Sequence, residues 1–288
     1  MSKKRVLILV MAAILSLILV AGCTQSSSVY NSPPATPAGM VFPVVSVNST
    51  PVKYAQVNGV TLGYREFGSG EPLLMINGFD STMDNMWNQT FLGILASKYH
   101  VYIYDHRDMG YSTDNNATPT FPLYAEDASG LIKALGYDSM NVYGASMGSS
   151  IGQELVISHP SQVRKLVLES VTYSVRVPEC KVLLADLMVS AVDPAKAPGV
   201  RKEAQANLAW NGTWDQLSGI QKNVMLVVGT NDILTPQAVT VQMAGQINGS
   251  WLERYKDLPH IGSRNAPVQY GQNTLDFLGR EEQSPYPF

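Results

Sequence analysis

The chain has 288 residues and a formal net charge of −3 at pH 7, with a sequence pI near 5.8. This mild acidity argues against nucleic acid as a partner and offers no basic patch for anionic lipid. The two cysteines exclude a disulfide framework, no Cys/His spacing is typical of a zinc site, and no Gly-rich phosphate loop is present. We therefore expect a protein that works without a cofactor.

The first 22 residues have the pattern of an export signal. A positive stretch at Lys3 to Arg5 is followed by an apolar stretch at Val6 to Val20. About fifteen apolar residues fall short of the roughly twenty that span a bilayer, which favours a cleaved signal over a transmembrane anchor. Val20-Ala-Gly-Cys23 resembles the lipobox of prokaryotic lipoprotein signals, in which the cysteine becomes the lipidated N-terminus. The resemblance implies an exported protein attached through Cys23 to the outer side of a prokaryotic cell membrane; an ordinary signal peptide with an accidental cysteine is the alternative.

Residues 23–51 are rich in Ser, Pro, Thr, Asn and Val, without a sustained hydrophobic period. Because such a segment does not bury enough apolar surface to fold, we predict a flexible tether. Residues 52–282, roughly 230 residues, are enough for one sizeable α/β domain. Residues 283–288 are assigned as a tail.

Within the domain, predicted strands alternate with predicted helices. Lys53 to Phe67 predicts a β-hairpin, because Asn58-Gly59 fits a type I′ turn between two strand-like runs. The alternation that follows predicts a mostly parallel central sheet with helices on both faces. The further strands are predicted at Pro72 to Ile76, His100 to Tyr104, Met140 to Tyr143, Lys165 to Leu168, near Lys222 to Val228 and Ser250 to Lys256, and the helices at Trp87 to Ser97, Pro122 to Leu135, from near Pro236 and from about Ala266.

The run Gly144-Ala-Ser146-Met-Gly148 follows a short apolar strand and opens a helix with small residues at its start. The two glycines permit a sharp strand-to-helix turn, which holds Ser146 in a strained conformation and presents its hydroxyl for attack. This pattern predicts a nucleophile elbow. Gly-x-Ser-x-Gly alone is a weak signal, so the prediction rests on the strand-turn-helix setting; a Gly/Ser-rich turn is the alternative.

A nucleophilic serine needs a base and an acid that orients the base, and in this architecture both follow it in the chain. Of the four histidines, only His260 lies far downstream in a loop, between a predicted strand and the predicted last helix. Asp232 is the predicted acid, because it ends a Gly-x-x-Asp run after an apolar strand; an Asx-turn or a helix cap is its alternative role. Glu169, at the end of an earlier strand, is the reserve acid.

The alternation breaks at residues 171–219, which contain an apolar helical segment, a Pro/Ala stretch and a second helical segment. The insert leaves the sheet after the strand that ends at Glu169, at the carboxyl edge where ligands bind in open α/β sheets. This position favours a short cap over the site, whereas inward packing as ordinary core is the alternative.

Together with Asp232, His260 and the elbow, two loops resemble motifs of the α/β-hydrolase superfamily, and the resemblance covers roughly residues 52–279. Pro72 to Phe79 resembles the strand and His-Gly-aromatic loop of that family, although Asn77 stands where the family usually has His. Tyr104 to Ser112 resembles its Asp-x-Arg-Gly-x-Gly-x-Ser loop, with Asp108 in place of the usual Gly. The resemblance implies the α/β-hydrolase fold with a short helical cap insert.

For the site, the resemblance implies a Ser146-His260-Asp232 triad and an oxyanion hole formed by the backbone N–H groups of Phe79 and Met147. It implies a serine hydrolase that cleaves small acyl esters through an acyl-enzyme. An aminopeptidase, a carbon-carbon bond hydrolase and a cofactor-free perhydrolase remain alternatives on the same triad, and a non-catalytic surface binding module is a further alternative. Dehalogenase and epoxide hydrolase chemistry is disfavoured, because both use an aspartate where this chain has Ser146.

We also expect an apolar pocket under a small cover, and hence a fairly open site for short to medium acyl chains. The pocket residues predicted from the insert and the oxyanion loop are Phe79, Val182, Leu183, Leu184, Leu187 and Met188.

Overall fold

The computed structural model describes residues 42–281. Among these residues, eight strands form one sheet in the order β1-β2-β4-β3-β5-β6-β7-β8. The first two pairings, β1 with β2 and β2 with β4, are antiparallel, and the other five are parallel. The strands are β1 (Lys53–Val57), β2 (Val60–Phe67), β3 (Glu71–Ile76), β4 (Tyr99–Tyr104), β5 (Met140–Ala145), β6 (Val163–Glu169), β7 (Asn223–Gly229) and β8 (Trp251–Tyr255).

The helices lie close to their predicted positions, with one difference. The helix predicted at Trp87 to Ser97 begins at Gln89, because the Asn88 side chain accepts the N–H groups of Thr90 and Phe91, and a short helix that was not predicted, Met83–Met86, precedes it. The helices are α1 (Met83–Met86), α2 (Gln89–Ala96), α3 (Phe121–Ala134), α4 (Met147–Ser158), α5 (Lys181–Ser190), α6 (Pro198–Ala209), α7 (Gln237–Gln246) and α8 (Pro267–Gly279).

The core has a layer on each face of the sheet, because successive side chains of a strand point to opposite faces. Leu74 and Ile76 of β3 pack in the layer that contains residues of α3, α4 and α7. Leu73 and Met75 pack in the other layer, with α2 and α8. Apolar residues at successive positions of β3 therefore reflect a central strand that is covered on both sides.

Residues 42–51 differ from the predicted tether. Val45 and Val47 are buried in the same core layer as α2 and α8. Gly93 of α2 makes room for the chain there, because a Cβ on Gly93 would lie 2.5 Å from the carbonyl oxygen of Pro43. The packed domain thus begins before residue 52, since two buried valines hold this segment against the core. The predicted signal peptide, Cys23, most of the tether and the tail 283–288 lie outside the described residues.

The insert 171–219 supplies α5 and α6 between β6 and β7. It has a small apolar cluster of its own, in which Leu183 and Leu187 of α5 pack with Ala204 of α6. No helix within residues 42–281 is both long and apolar enough to cross a bilayer.

Candidate active site

Ser146 lies at the turn between β5 and α4, in the backbone conformation expected of an elbow. Its φ is 55° and its ψ is −121°, a region that non-glycine residues rarely adopt. The flanking glycines are required by close approaches: a Cβ on Gly144 would lie 2.2 Å from the Gly148 carbonyl oxygen, and a Cβ on Gly148 would lie 2.1 Å from that of Ile76. Side chains at either position would therefore force the turn open.

The structure brings Ser146, His260 and Asp232 together, although His260 and Ser146 are 114 positions apart in the chain. The distance from His260 Nε2 to Ser146 Oγ is 2.8 Å, and the distance from His260 Nδ1 to Asp232 Oδ2 is 2.8 Å. With Asp232 ionised, Nδ1 carries a hydrogen and donates it to the carboxylate. This tautomer leaves Nε2 free to accept the serine hydrogen.

Asp232 is held in place by the loop that follows β7. Its Oδ1 accepts the N–H groups of Leu234 and Thr235, and its Oδ2 accepts the Thr235 hydroxyl, each at 2.9 Å. Burial disfavours the charged carboxylate, but the hydrogen bond and charge of His260, together with the bonds from Thr235, outweigh it and lower the pKa of Asp232. Asp232 thus makes the Asx-type turn considered above and also binds the histidine.

Glu169, the reserve acid, holds the histidine loop. Its Oε1 accepts the Ser263 N–H at 2.9 Å, and its Oε2 accepts the hydroxyls of Tyr143 and Ser263. The next residue, Ser170, accepts the Ile261 N–H on its hydroxyl at 2.9 Å. Burial raises the pKa of Glu169 against the opposing effect of these hydrogen bonds. Its contacts fix the backbone just after His260.

The loop after β3 passes directly over the nucleophile. A Cβ on Gly78 would lie 3.3 Å from both the Ala145 carbonyl oxygen and Ser146 Cβ, so the chain leading to Phe79 is close to the serine. Met147 is the first residue of α4, where backbone N–H groups lack acceptors within the helix. Both residues predicted to donate their N–H groups in the oxyanion hole, Phe79 and Met147, thus lie next to Ser146.

The departure at Asn77 has a structural explanation. The side chain is buried, its Nδ2 donates to the Tyr104 carbonyl oxygen at 2.8 Å, and its Oδ1 accepts the Trp87 Nε1–H at 2.7 Å. An amide offers both a donor and an acceptor, which this buried position requires. Asn77 therefore fixes the start of the loop that leads to Phe79.

The departure at Asp108 is linked to the cap. Asp108 has a φ of 62°, in the left-handed region that favours glycine but that Asp and Asn adopt more readily than other residues. Its carboxylate lies 2.8 Å from Lys202 Nζ on α6, and Lys202 also pairs with Asp114. α6 approaches so closely that a Cβ on Gly199 would lie 2.0 Å from the Asp108 carbonyl oxygen. Asp108 thus adds an ion pair between the cap and the core.

The cavity beside Ser146 is small, in contrast to the fairly open site that the short insert predicts. About 10 Å³ of it is open to the centre of a water-sized sphere, roughly enough for one water molecule. Its lining combines apolar and uncharged polar side chains, namely Phe79, Met147, Val175, Leu183, Ser146, Ser150, Thr172, Asn207 and Thr235.

Of the insert residues predicted to line the pocket, only Leu183 does so. Val182 and Met188 are 41% and 58% exposed on the outer face of the cap. Leu187 is buried in the apolar cluster of the cap itself, and Leu184 packs against that cluster. Only one side of α5 faces the core, so most of its apolar residues do not reach the site.

Sequence reasoning missed three buried polar residues near the site. Glu203 and Asn207 are buried on one side of α6, and His106 is buried in the loop after β4. The only local signal was the spacing of Glu203 and Asn207, which places both on the same helical face as the apolar Val200 and Ala204. Within residues 42–281, no group of three or more His, Cys, Asp or Glu side chains is arranged to hold a metal ion.

Known proteins resemble the chain in fold and, over part of its length, in sequence. Residues 71–187 match the alpha/beta hydrolase fold family. A solved alpha/beta hydrolase fold protein from Chitinophaga pinensis is similar with a TM-score of 0.70 and 23% identity, covering 81% of this chain and 98% of that protein. The predicted fold class, a mostly parallel sheet flanked by helices in the α/β-hydrolase arrangement, is confirmed.

Two curated relatives match a smaller part of the chain. The chain is 29% identical over 115 residues to "Putative carbamate hydrolase RutD" from Azorhizobium caulinodans, covering 40% of this chain and 43% of that protein. It is 30% identical over 100 residues to "Putative non-heme chloroperoxidase" from Synechocystis sp., covering 34% of this chain and 36% of that protein. The matches thus span about two fifths of each relative. Fold and relatives together support an enzyme of the hydrolase class.

Proposed function

The chain has the α/β-hydrolase fold, and we propose that it is a serine hydrolase that cleaves small acyl esters through an acyl-enzyme. The observation that carries this proposal is the continuous hydrogen-bonded chain from Ser146 through His260 to Asp232, with both contacts to the imidazole at 2.8 Å. A serine, an imidazole and a carboxylate in this order are sufficient to activate a hydroxyl at neutral pH.

In the first half-reaction, Ser146 Oγ attacks the ester carbonyl carbon while its proton passes to His260 Nε2. The resulting imidazolium is stabilised by Asp232, whose pKa is lowered and which therefore stays ionised. His260 then gives the proton to the alkoxide oxygen as the carbon-oxygen bond breaks, which releases the alcohol and leaves the acyl group on Ser146.

Negative charge on the carbonyl oxygen develops during each attack. The backbone N–H groups of Phe79 and Met147 are proposed to donate to this oxygen, and the N-terminal end of α4 adds a favourable dipole. In the second half-reaction, water attacks the acyl-enzyme, His260 Nε2 takes its proton and passes it to Ser146 Oγ, and the acid leaves. The cycle consumes one ester and one water and restores the starting protonation.

The cavity argues for a small acyl group. Room for about one water molecule beside Ser146 is insufficient for a long alkyl chain unless side chains move. Val175 and Leu183 are among the apolar residues that line this cavity. We propose that acetyl and similarly short acyl groups are preferred over long-chain triglycerides and charged peptides, with about 1 kcal/mol or less gained per methylene until the space is full.

The proposal is tested with residues 42–288 and a fluorophosphonate probe, followed by p-nitrophenyl esters of increasing chain length. We expect covalent labelling of Ser146, located by peptide mass spectrometry, and the highest kcat/KM with the shortest acyl chains. Ser146→Ala is the matched control and should neither be labelled nor turn over. Absence of labelling in the folded wild-type protein, or labelling at another residue, would contradict the proposal.

A second candidate is cofactor-free perhydrolase chemistry on the same triad. The similarity to the relative named as a chloroperoxidase favours it, and hydrogen peroxide is small enough to reach a confined acyl-enzyme. The same ester panel with and without peroxide, halide and a short carboxylic acid separates the two. Activity that appears only with peroxide would show that the protein is a perhydrolase and not an esterase. Faster cleavage of aminoacyl anilides than of esters would show that it is an aminopeptidase.

We also propose that the full chain is exported and anchored by lipid at Cys23, on the basis of the Val20-Ala-Gly-Cys23 pattern after a short apolar stretch. Full-length protein should fractionate with membranes, and Cys23→Ser should abolish this. Intact mass spectrometry of the exported protein decides the question. A mature N-terminus after Cys23, or one at Cys23 without added acyl mass, would count against the anchor.

A further inference from the structure

A buried carboxylate of the cap reaches the oxyanion loop. Glu203 lies on α6 and is fully buried. Its Oε2 accepts the backbone N–H of Asp80 at 2.9 Å, and its Oε1 lies 2.9 Å from His106 Nδ1. With Glu203 ionised, Nδ1 carries a hydrogen and donates it to the carboxylate. One side chain of the cap therefore joins two loops of the core.

Asp80 is a sensitive point in the oxyanion loop, because it directly follows Phe79. Its φ of 54° lies in the left-handed region, so its backbone is strained and depends on its surroundings to stay in place. The loop is tied to the core at its start by Asn77 and to the cap at its end by Glu203. Phe79 lies between these two ties in the chain.

Around Glu203, helix α6 of the cap packs closely against the core. The neighbouring Lys202 pairs with Asp108 and Asp114, and Gly199 lies against the backbone of Asp108. Burial raises the pKa of Glu203 despite its hydrogen bond to His106, which shows that this position is costly for a charged group. Removal of the carboxylate alone would leave the Asp80 N–H and the His106 Nδ1–H without their acceptor.

We propose that Glu203 is a positioning residue: by accepting the Asp80 N–H, it aims the Phe79 N–H at the oxyanion of the reacting ester. This inference rests on the proposed function. The cap thereby contributes to the chemical step in addition to covering the substrate, and His106 holds Glu203 in the orientation that reaches Asp80.

The test compares Glu203→Met, which keeps the length of the side chain but removes the carboxylate, with Glu203→Gln, whose amide oxygen can accept the same N–H. Lys202→Met is the matched control, because it removes an adjacent ion pair that does not touch the oxyanion loop. Each variant is measured for kcat and KM with p-nitrophenyl acetate, for the rate of fluorophosphonate labelling and for Tm.

We expect Glu203→Met to lower kcat about tenfold to a hundredfold with KM changed less than about threefold, because an oxyanion donor acts mainly in the transition state. Labelling should slow by a similar factor. Glu203→Gln should recover kcat to within about fivefold of wild type, and Lys202→Met should keep kcat within about twofold while lowering Tm.

Wild-type kcat in folded Glu203→Met, or an equal kcat loss in Lys202→Met, would overturn the inference, since either result would indicate general cap packing. If Glu203→Met does not fold, the double variant His106→Leu with Glu203→Met removes both polar partners and should show the same kcat loss. A wild-type protein without esterase activity or labelling would instead refute the proposed function itself.

Discussion

Within residues 42–281, two histidines pair with buried carboxylates in nearly the same geometry. Nδ1 of His260 lies 2.8 Å from Asp232, and Nδ1 of His106 lies 2.9 Å from Glu203. The second ring nitrogens differ. Nε2 of His260 contacts Ser146, whereas Nε2 of His106 has no hydrogen-bond partner within residues 42–281.

Their surroundings explain the difference. The His260 side chain is 16% exposed and contacts Ser146, whereas His106 is 1% exposed and lies against the rings of Tyr104 and Tyr124. An imidazole paired with a carboxylate can act as a general base when its other nitrogen contacts a nucleophile. The same pair serves as a structural link when that nitrogen lies against apolar rings. The pairs also differ in charge preference, because hydrogen bonds lower the pKa of Asp232 whereas burial raises that of Glu203.

The largest expected effect comes from removing the proposed nucleophile or the proposed base. Ser146→Ala and His260→Ala should each lower esterase turnover by about 10⁴ to 10⁶-fold, because nucleophile and base act as one unit. Circular dichroism and Tm should show an intact fold. The matched comparison is His106→Ala, which should reduce kcat by no more than about tenfold. Equal losses at the two histidines, or wild-type rates in folded Ser146→Ala, would remove the distinction between the pairs.

Replacing the orienting acid should be nearly as damaging. Asp232→Asn should lower kcat by about 10⁴-fold, because an amide favours the wrong tautomer of His260. Glu169→Gln is the control, since Glu169 holds the histidine loop through Ser263 and Tyr143 without a hydrogen bond to the imidazole ring. It should mainly lower Tm. Unchanged kcat in Asp232→Asn, with a large loss in Glu169→Gln, would move the acid role to Glu169.

Breaking the structural pair should cost stability more than catalysis. His106→Leu leaves Glu203 buried without its partner, which should lower the free energy of unfolding by about 3 to 5 kcal/mol. Urea unfolding of His106→Leu and of the double variant with Glu203→Met measures this. The double variant should regain most of the stability, and a double variant as unstable as the single one would show that the pair is not the source of the loss.

The smallest expected effect is on the pH dependence of stability, to which Asp232 and Glu203 should contribute in opposite directions. The pKa of Asp232 is lowered from its usual 3.8. Its contribution to the free energy of unfolding is therefore present above that value and is lost as the pH falls. The pKa of Glu203 is raised from its usual 4.5. Its contribution to the free energy of unfolding is therefore present below that value and is lost as the pH rises.

Urea unfolding from pH 3 to pH 7 compares the wild type with Asp232→Asn and Glu203→Gln. The advantage of the wild type over Asp232→Asn should grow with pH, and its advantage over Glu203→Gln should shrink. Parallel curves for the two variants would contradict the assigned directions.

Much of the site could be predicted because its signals are local. Gly144 and Gly148 flank the nucleophile within one turn, and Asp232 directly follows a buried strand. The pairings that complete the site are not local. Glu203 contacts His106 across 97 positions and Asp80 across 123, and no short motif records either contact.

The sequence by itself determined the alternating strands and helices, the elbow and the order of Ser146, Asp232 and His260, because periodicity and steric demands act over a few neighbouring residues. Only the tertiary structure decided that residues near Val45 join the core, that the cavity beside Ser146 is small and that Glu203 accepts the Asp80 N–H. These outcomes depend on which surfaces pack together after the chain has folded. Burial and pairing between distant residues follow from that packing.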